Sequence, residues 1–356
     1  MKVLTAIGNR PQFVKAAAVS RPLRAVHKEI IVHTGQHFDD DLSAVFFAEL
    51  GLPAPDWELE IALGSNTSQT ARMLATLEPV IAEVEPDVVL VYGDTNSTLA
   101  GALAGAQAGV PVAHVEAGMR SFDRTMPEEL NRVLVDHASS LLLCSSQAAA
   151  VNLRREGVTG LIEVVGDVMV DVAMMVQPRA RARTEVLDDY DVRTGEFALA
   201  TAHRAGNVDD PPRLSELVEL LLAVPVPVVL PLHPRTGERL RVSGLIERLQ
   251  RADHVRLAPP LGYLEFTTLL CHARAVLTDS GGVQKEAYLA GTPCITLRPS
   301  TEWTETLEHG WNVLVDLDRA AMLAALRRRA PLERRPLYGD GRAAERAVAA
   351  LTLHLG

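Results

Sequence analysis

Residues 88–117 read VVLVYGDTNSTLAGALAGAQAGVPVAHVEA, a stretch in which two short β-branched runs flank a segment rich in Ala and Leu. The runs Val88–Val91 and Val112–Val115 resemble buried parallel strands, and the segment between them has the length of a crossover helix. Because a right-handed crossover returns the chain beside its starting strand, we expect Asp94 and Glu116 to lie together at the carboxyl edge of a sheet. Open α/β sheets bind ligands at that edge, and two acids placed there indicate proton chemistry.

Strand-like and helical segments alternate along the chain, and the pattern restarts once. The strand-like runs of the first half are Val3–Ile7, Glu29–His33, Val88–Val91, Val112–Val115, Leu141–Cys144 and Glu163–Val165. Those of the second half are Phe197–Ala200, Val226–Leu230, Val255–Leu257, Ala275–Thr278 and Cys294–Leu297. Two such series predict an α/β protein with two doubly wound, Rossmann-like domains whose sheets face each other across a cleft. The boundary is expected between Gly166 and Pro178, so we assign residues 1–170 and 171–340 to the two domains.

The composition is that of a globular protein with an excess of acid. The chain has 356 residues, of which 47% are hydrophobic and 22% charged, and its net charge is −10. We therefore expect no general binding to nucleic acid or to a membrane surface, and an anionic ligand would need a local basic pocket. The segment Met1–Ile7 is too short for a signal-peptide core, and the three cysteines lie far apart, as buried free thiols do. We therefore expect a cytoplasmic enzyme.

The sequence lacks the common cofactor and metal motifs. No Gly-x-Gly-x-x-Gly segment follows a strand-like run, and no Walker-type Gly-Lys-Ser/Thr is present, which argues against a bound dinucleotide or ATP. No group of acids or histidines has the spacing of metal ligands. We therefore predict neither a metal nor a cofactor.

The turn Ser280-Gly281-Gly282 follows Ala275–Thr278 and opens a helix-like segment. Consecutive glycines let backbone N–H groups approach an anion, and a helix N-terminus adds partial positive charge, so diphosphate is the candidate ligand. Glu286, one turn further on, could reach a diol such as ribose. The alternative is a tight turn in which Ser280 only caps the helix.

Basic side chains and a histidine follow the first strand-like run of each half. Arg10 and Lys15 flank the start of the first helix, where a guanidinium suits a phosphate; the alternative is a surface salt-bridge pair. His203 stands beside Arg204 and could protonate or neutralise a departing phosphate oxygen. The alternative is a histidine at a strand end that only makes structural hydrogen bonds.

Two further acids, Glu128 and Glu129, follow Pro127 at the start of a helix-like segment. The helix dipole alone favours acids in a first turn. Closeness in sequence to Glu116 and Arg120 makes Glu128 a candidate for the acid group, while Glu129 receives no role.

Taken in order, these segments resemble the non-hydrolysing UDP-N-acetylglucosamine 2-epimerase family. The matching segments are Gly8–Pro11, Gly93–Thr95, His114–Gly118, Pro127–Glu129, Asn131–Arg132, His203–Arg204, Thr278–Glu286 and Tyr338–Gly341. They cover nearly the whole chain. The resemblance implies a fold like that of the GT-B glycosyltransferases, a last helix (residues 341–356) that packs back on the first domain, and a homodimer.

The resemblance also implies a reaction and the residues that carry it. A base would remove the C2 proton of the sugar, UDP would leave C1 to give a 2-acetamidoglucal, and both would add back with the opposite configuration at C2. Asp94, Glu116 and Glu128 would be the acid/base residues, with His203 assisting at the diphosphate. The UDP group, mainly on the second domain, would be held by Arg10, Lys15, Phe266, Ser280, Gly281, Gly282 and Glu286, with Phe266 at the uracil.

Several positions depart from the common pattern of the family. Gln36-His37-Phe38 lacks the arginine found in members with a second, activating UDP-sugar site. Gly206 stands where an acid is usual, and Trp303 replaces an arginine. Some of these departures resemble the branch that acts on UDP-2,3-diacetamido-2,3-dideoxyglucuronate.

Two substrates therefore stay open, with UDP-N-acetylglucosamine first and the diacetamido acid second. The acid's extra carboxylate would need a cation, for which Arg120, Arg124 and Arg298 are candidates. A glycosyltransferase of the same fold, a hydrolysing epimerase and a non-catalytic sugar-nucleotide sensor are further alternatives.

Overall fold

The computed structural model describes residues 1–36, 47–61 and 63–356. They form two compact units, Met1–Met175 with Tyr338–Gly356 and Val176–Leu337. Each unit contains one parallel sheet with interleaved helices, so the predicted α/β class with two doubly wound sheets is confirmed.

Within its described residues, the first unit has a seven-stranded sheet in the order β3-β2-β1-β4-β5-β6-β7. The strands are β1 (Lys2–Ile7), β2 (Lys28–His33), β3 (Trp57–Glu58), β4 (Val88–Tyr92), β5 (Val112–Ala117), β6 (Leu141–Cys144) and β7 (Leu161–Val164). The helices that begin here are α1 (Arg10–Val26), α2 (Asn66–Val84), α3 (Asn96–Gln107), α4 (Pro127–Ala138), α5 (Gln147–Glu156) and α6 (Val168–Ala182).

The second unit repeats this design with a six-stranded sheet in the order β10-β9-β8-β11-β12-β13. The strands are β8 (Ala198–Thr201), β9 (Val228–Pro231), β10 (Val255–Ala258), β11 (Ala275–Thr278), β12 (Cys294–Thr296) and β13 (Asn312–Leu314). The helices are α7 (Glu185–Asp189), α8 (Ala205–Val208), α9 (Pro211–Leu222), α10 (Pro234–Val242), α11 (Ile246–Gln250), α12 (Tyr263–His272), α13 (Gly281–Ala290), α14 (Thr304–Glu308) and α15 (Arg319–Leu326).

Two edge strands, β3 and β13, are absent from the sequence prediction. They are only two and three residues long, so neither contains a hydrophobic run or an alternation from which a strand could be inferred. Pairing with β2 and β12 defines them, and this is tertiary information.

The last helix, α16 (Ala343–Leu355), packs against α1. The backbone N–H groups of Ala343 and Ala344 donate to the Asp171 carboxylate at 3.1 and 2.9 Å, which caps the start of α16. Near its end, Thr352 lies 2.8 Å from Nε2 of His27. The chain therefore returns to the first unit after it has built the second.

In each sheet the strand order reverses beside the first strand of the unit, between β1 and β4 and between β8 and β11. The loops on either side of such a switch point diverge, and ligands bind there in open α/β sheets. At the first switch point Gly8 permits close packing, because a methyl group on its Cα would overlap the hydroxyls of Thr34 and Ser97.

An added methyl group should be damaging at Gly118. Its φ is +78°, and the methyl carbon would lie 2.8 Å from the carbonyl carbon of Ala149 in α5. Left-handed strain of about 1–2 kcal/mol and overpacking of about 1–3 kcal/mol add up, so Gly118→Ala should lower the free energy of unfolding by about 3 kcal/mol. Gly157, with φ of +70° and no atom within 4 Å, provides the control: Gly157→Ala should cost about 1 kcal/mol in urea denaturation. Equal losses would contradict the packing argument.

His33 should make the fold sensitive to acid. Its ring stacks on Phe13 with centroids 5.1 Å apart and lies 6.2 Å from the Phe47 ring, and burial lowers its pKa to about 4. Between pH 6.5 and 4 His33 is protonated in the unfolded chain but stays neutral in the folded chain. The free energy of unfolding therefore falls as the pH falls through this window. Between pH 7 and 5 the wild type should lose about 2 kcal/mol more than His33→Phe, measured by chemical denaturation at both pH values. Parallel losses would show that His33 does not titrate in this way.

Candidate active site

Asp94 and Glu116 follow two neighbouring strands at the same sheet edge. The strands β4 and β5 pair in parallel, with Tyr92 opposite Val115. The register shifts after Val115, and Glu116 has a left-handed backbone with φ of +73°. A non-glycine residue in this region is held at a cost of about 1–3 kcal/mol, and such strain clusters at functional sites.

Both carboxylates are paired with cations. Lys15 in α1 donates to Oε2 of Glu116, and the exposed fractions of the two side chains are 14% and 11%. Arg132 in α4 donates through Nη2 to Oδ2 of Asp94 at 2.5 Å, and its Nη1 lies 3.3 Å from Glu129. The result is a compact group of alternating charge at the first switch point.

The Asp94 carboxyl holds its proton more firmly than an ordinary aspartate. Burial raises its pKa most, although a third of the side chain is exposed; Arg132 and Lys15 lower the pKa, and the Glu116 carboxylate raises it. The net shift is upward. A carboxylate with a raised pKa is a stronger base once ionised, which suits the removal of a weakly acidic proton.

The two acids at the start of α4 have different surroundings. Glu129 is buried and accepts hydrogen bonds of 2.9 Å from the N–H and the hydroxyl of Ser121 and from the N–H of Phe122. Burial raises its pKa, but these bonds and Arg132 outweigh that effect and lower it. Glu128 is exposed, and among the described contacts it makes none with Asp94 or Glu116.

Helix α4 turns its charged stripe inward. Glu129 and Asp136 are buried, and Arg132 lies between them on the same face, whereas Leu130 and Leu134 are 54% and 42% exposed. Sequence reasoning assigned no role to Arg132 or Asp136. The signal was the 129, 132, 136 spacing, which places three charges on one helical face directly after the candidate acid group.

The start of α1 is tied to the turn after β4. The side chain of Asn9 caps the helix, and Gln12 donates through Nε2 to the Tyr92 carbonyl at 3.1 Å and to Oγ1 of Thr98 at 3.0 Å. Gln12 also accepts from the N–H of Gly8 at 2.8 Å. These bonds fix the start of α1, whose first residue is Arg10, beside the end of β4.

Gln36 belongs to the same switch point. Its Oε1 accepts from the N–H and the hydroxyl of Ser97, at 3.0 and 2.8 Å. The following His37 and Phe38, on which the prediction about a second UDP-sugar site rests, lie outside the described residues.

In the second unit, buried Asp279 ties the end of β11 to the end of β8. Its carboxylate accepts from the backbone N–H groups of His203 and Arg204 and from Nδ2 of Asn207, each at 3.1 Å. Asp279 is therefore a structural anchor for the His203–Arg204 turn. Sequence reasoning saw it only as part of the Ser-Gly-Gly segment.

The His203 ring lies above this anchor and is partly exposed. It stacks on the His233 ring with centroids 5.4 Å apart, and its Nδ1 lies 3.7 Å from Asp279. Burial lowers the pKa of His203; the Asp279 carboxylate opposes this, while Arg204 and Arg235 add to it. The ring is thus neutral at pH 7 and can offer one N–H to a ligand.

The turn Ser280-Gly281-Gly282 opens α13 as expected, with Ser280 as its cap. Gly282 is exposed, and a methyl group on its Cα would meet only the Ser280 hydroxyl, at 3.9 Å, whereas a loop covers Gly281. In that loop, Nε1 of Trp303 donates to the Gly281 carbonyl at 2.8 Å, and Nζ of Lys285 lies 4.6 Å from the centre of the Trp303 ring. Trp303 therefore braces the turn at the position where family relatives were expected to have an arginine.

The remaining candidates lie on the two helices beside this turn. The Glu286 carboxylate of α13 hydrogen-bonds the hydroxyl of Tyr263, whose pKa is raised by burial and then by Glu286. Phe266, one turn into α12, is half-buried and packs on the apolar cluster that contains Phe197 and Leu269. Only part of its ring is therefore available to a ligand.

The three arginines proposed for an acidic sugar differ in availability. The side chain of Arg120 is 1% exposed and binds Asp136 and Glu156, so its guanidinium cannot serve a substrate. Arg298 donates to Glu302 at 2.9 Å, and Glu302 also lies 3.9 Å from Arg204. Arg124 is exposed.

Neither a metal centre nor a membrane helix is found in the part of the chain that the structure describes. No three acids, histidines or cysteines among those residues are grouped so as to hold an ion. None of the described helices is long and apolar enough to cross a bilayer.

Comparison with known proteins places this geometry in a family. The family model for UDP-N-acetylglucosamine 2-epimerase matches residues 23–352. The chain belongs to the UDP-N-acetylglucosamine 2-epimerase family. The predicted family and enzyme class, an isomerase, are therefore confirmed.

Both substrate branches occur among the relatives of this family member. It is 47% identical to UDP-2,3-diacetamido-2,3-dideoxy-D-glucuronate 2-epimerase of Pseudomonas aeruginosa, over 97% of this chain and 98% of that protein. It is 43% identical to a UDP-N-acetylglucosamine 2-epimerase homolog of Methanococcus maripaludis, over 99% of both chains.

A solved structure matches the fold over almost the full length. The crystal structure of Methanocaldococcus jannaschii UDP-GlcNAc 2-epimerase, in complex with UDP-GlcNAc and UDP, superposes with a TM-score of 0.90 and 40% identity. The match covers 99% of this chain and 100% of that one. The predicted GT-B-like fold class is confirmed by this likeness.

Proposed function

We propose that this family member epimerises UDP-N-acetylglucosamine to UDP-N-acetylmannosamine, reversibly and at C2. The observation that carries the proposal is the group at the first switch point, where two carboxylates, Asp94 and Glu116, lie with their cations at the ends of paired strands. Epimerisation needs proton removal from one face of C2 and delivery to the other, and a pair of carboxyl groups can share these tasks.

The proposed reaction is an elimination followed by re-addition. An ionised carboxylate takes the C2 proton, the C1–O bond breaks with its electrons on UDP, and a C1=C2 double bond forms. The UDP oxygen then adds back to C1, and a carboxyl group delivers a proton to the other face of C2. No oxidant is consumed, since the intermediate, a 2-acetamidoglucal, has lost only UDP. Glu128 stays in the proposal as a third acid/base residue.

We propose that the second unit supplies the groups that hold UDP. The N–H groups of Gly281 and Gly282 at the start of α13 suit the diphosphate, and the neutral His203 ring can donate to one of its oxygens. Glu286 suits the ribose and Phe266 the uracil, while Arg10 and Lys15 of the first unit are proposed phosphate contacts.

The diacetamido acid is the second candidate substrate. The 47% identity to the Pseudomonas enzyme favours it. Trp303, at the Gly281 turn, favours it too, because it is one of the departures from the common family pattern that resemble this branch. Its additional carboxylate requires a cation, and Arg298, which is held by Glu302, meets this need better than the enclosed Arg120.

An NMR assay of purified enzyme with each UDP-sugar in turn tests the proposal. We expect anomeric signals of the 2-epimer to grow with UDP-N-acetylglucosamine until an equilibrium mixture is reached. Turnover of the diacetamido acid alone would move the assignment to that branch. Release of free N-acetylmannosamine and UDP would instead indicate a hydrolysing epimerase, and binding without conversion would indicate a sugar-nucleotide sensor.

The homodimer implied by the family and the cytoplasmic location expected from the sequence stay predictions. Analytical ultracentrifugation of the full chain tests the first, and a mass of one chain at micromolar concentration would contradict it. Fractionation of the producing cells tests the second.

A further inference from the structure

Behind the two carboxylates lies a buried network centred on His114. This residue of β5 is fully buried, and its Nε2 lies 2.7 Å from the Gly93 carbonyl while its Nδ1 lies 2.8 Å from Oδ1 of Asp136. A carbonyl oxygen and a carboxylate oxygen both accept. Both contacts are hydrogen bonds at the same time only when both ring nitrogens of His114 donate.

Asp136 collects three donors although it is completely buried. Besides His114 it accepts from Nη1 of Arg120 at 2.7 Å and from the backbone N–H of Gly118 at 3.1 Å. Arg120 in turn binds Glu156 through two nitrogens, at 2.8 and 2.6 Å. With both His114 nitrogens donating, two cations and two carboxylates make the network neutral, which lowers the cost of its burial. Burial raises the pKa of Asp136, but the His114 and Arg120 contacts outweigh it and the pKa is lowered.

The network forms hydrogen bonds with the backbone next to each of the two candidate acids. Gly93, whose carbonyl accepts a hydrogen bond from Nε2 of His114, directly precedes Asp94. His114 and Gly118 stand two residues before and two residues after Glu116, whose left-handed backbone needs support from its neighbours. One carboxylate thus connects the turn after β4 with the bulge at the end of β5.

We propose that Asp136 is a positioning residue for the epimerisation: through His114 and the Gly118 N–H, it holds Asp94 and Glu116 in the geometry for proton transfer at C2. This inference rests on the proposed function. Asp136 does not touch the substrate in this proposal, and its effect passes through the two backbone turns.

The isosteric change Asp136→Asn tests this role. The amide oxygen can still accept from Gly118 and Arg120, but the negative charge that favours two donating nitrogens on His114 is gone. With the amide oxygen there, the amide NH2 faces Nδ1 of His114, so a neutral ring can still donate to the Gly93 carbonyl and accept from the amide. The charge-assisted bonds of the wild type thereby become weaker neutral bonds, which hold the two backbone turns less firmly. We expect kcat to fall about tenfold while KM stays within about twofold, because misplaced acid/base groups lose transition-state stabilisation and not binding.

Glu156→Gln is the matched control. Glu156 lies at the exposed end of the same network and contacts neither backbone turn. We expect it to lower thermal stability through Arg120 but to leave kcat within about twofold. Equal loss of kcat in both variants, or unchanged kcat in Asp136→Asn, would overturn the proposal and leave Asp136 a merely structural residue.

A second readout does not depend on activity. In histidine ¹⁵N-labelled protein at neutral pH, both ring nitrogens of His114 should show the shifts of protonated nitrogens in the wild type, and only one in Asp136→Asn. A neutral His114 in the wild type would overturn the proposal, even if Asp136→Asn fails to fold. If the wild type converts no UDP-sugar while His114 is an imidazolium, the proposed function fails and the network stands as a structural feature alone.

Discussion

Asp94→Asn and Glu116→Gln should each lower kcat at least about a hundredfold, the lower range for the loss of a general acid or base. Each change removes one of the two carboxylates that the proposed mechanism uses at C2, and an amide cannot take up or deliver the proton. Because both side chains lie in the first unit and the proposed UDP contacts lie mainly in the second, UDP affinity measured by calorimetry should change much less than kcat.

The control for these variants is Asp87→Asn, which removes an exposed carboxylate just before β4, at the edge of the sheet opposite to Asp94. It should leave kcat within about twofold, as expected for a surface substitution away from the site. Near-normal rates in both Asp94→Asn and Glu116→Gln would rule out the proposed acid/base pair.

Lys15→Met should lower kcat/KM at pH 7 about thirtyfold. Removing the cation that binds Glu116 in a largely buried position should cost about 2 kcal/mol, less than for a fully buried pair. Lys15 also lowers the pKa of Asp94, so its loss raises that pKa further, and the acidic limb of the pH–kcat/KM profile should move to higher pH. The full profile measures both effects.

Two comparisons make the Lys15 result specific. Lys15→Arg keeps the charge and should restore most of the rate and the position of the acidic limb. Lys28→Met removes an exposed lysine at the start of β2 and should change neither. A Lys15→Met enzyme with an unshifted acidic limb would show that Lys15 does not set the protonation of the acid pair.

The parts of the site that local rules determine were predictable from sequence. Asp94 and Glu116 follow strand-like runs joined by a helix of crossover length, and the handedness of such crossovers brings the strand ends together. Ser280 was predictable as a helix cap for the same reason, since only its own turn is involved. These inferences need nothing from distant parts of the chain.

The partners of these residues depend on tertiary packing and were not predictable. Lys15 stays a proposed phosphate contact, and only the structure reveals that it binds Glu116, 101 positions away. Asp136 looked like an ordinary helix residue, and only the packing of α4 against β5 turns it inward to His114 and Gly118. Trp303 reached the Gly281 turn through a loop whose course no local pattern indicates.

The central claim is that a proton leaves and returns at C2, and incubation of the wild-type enzyme with UDP-N-acetylglucosamine in D₂O tests it most directly. The account predicts that NMR will show one deuterium at C2 of the product epimer and, as the reverse reaction proceeds, of the recovered substrate. Formation of the epimer with its original hydrogen at C2, or UDP-sugar that binds without exchanging that hydrogen, would contradict the account.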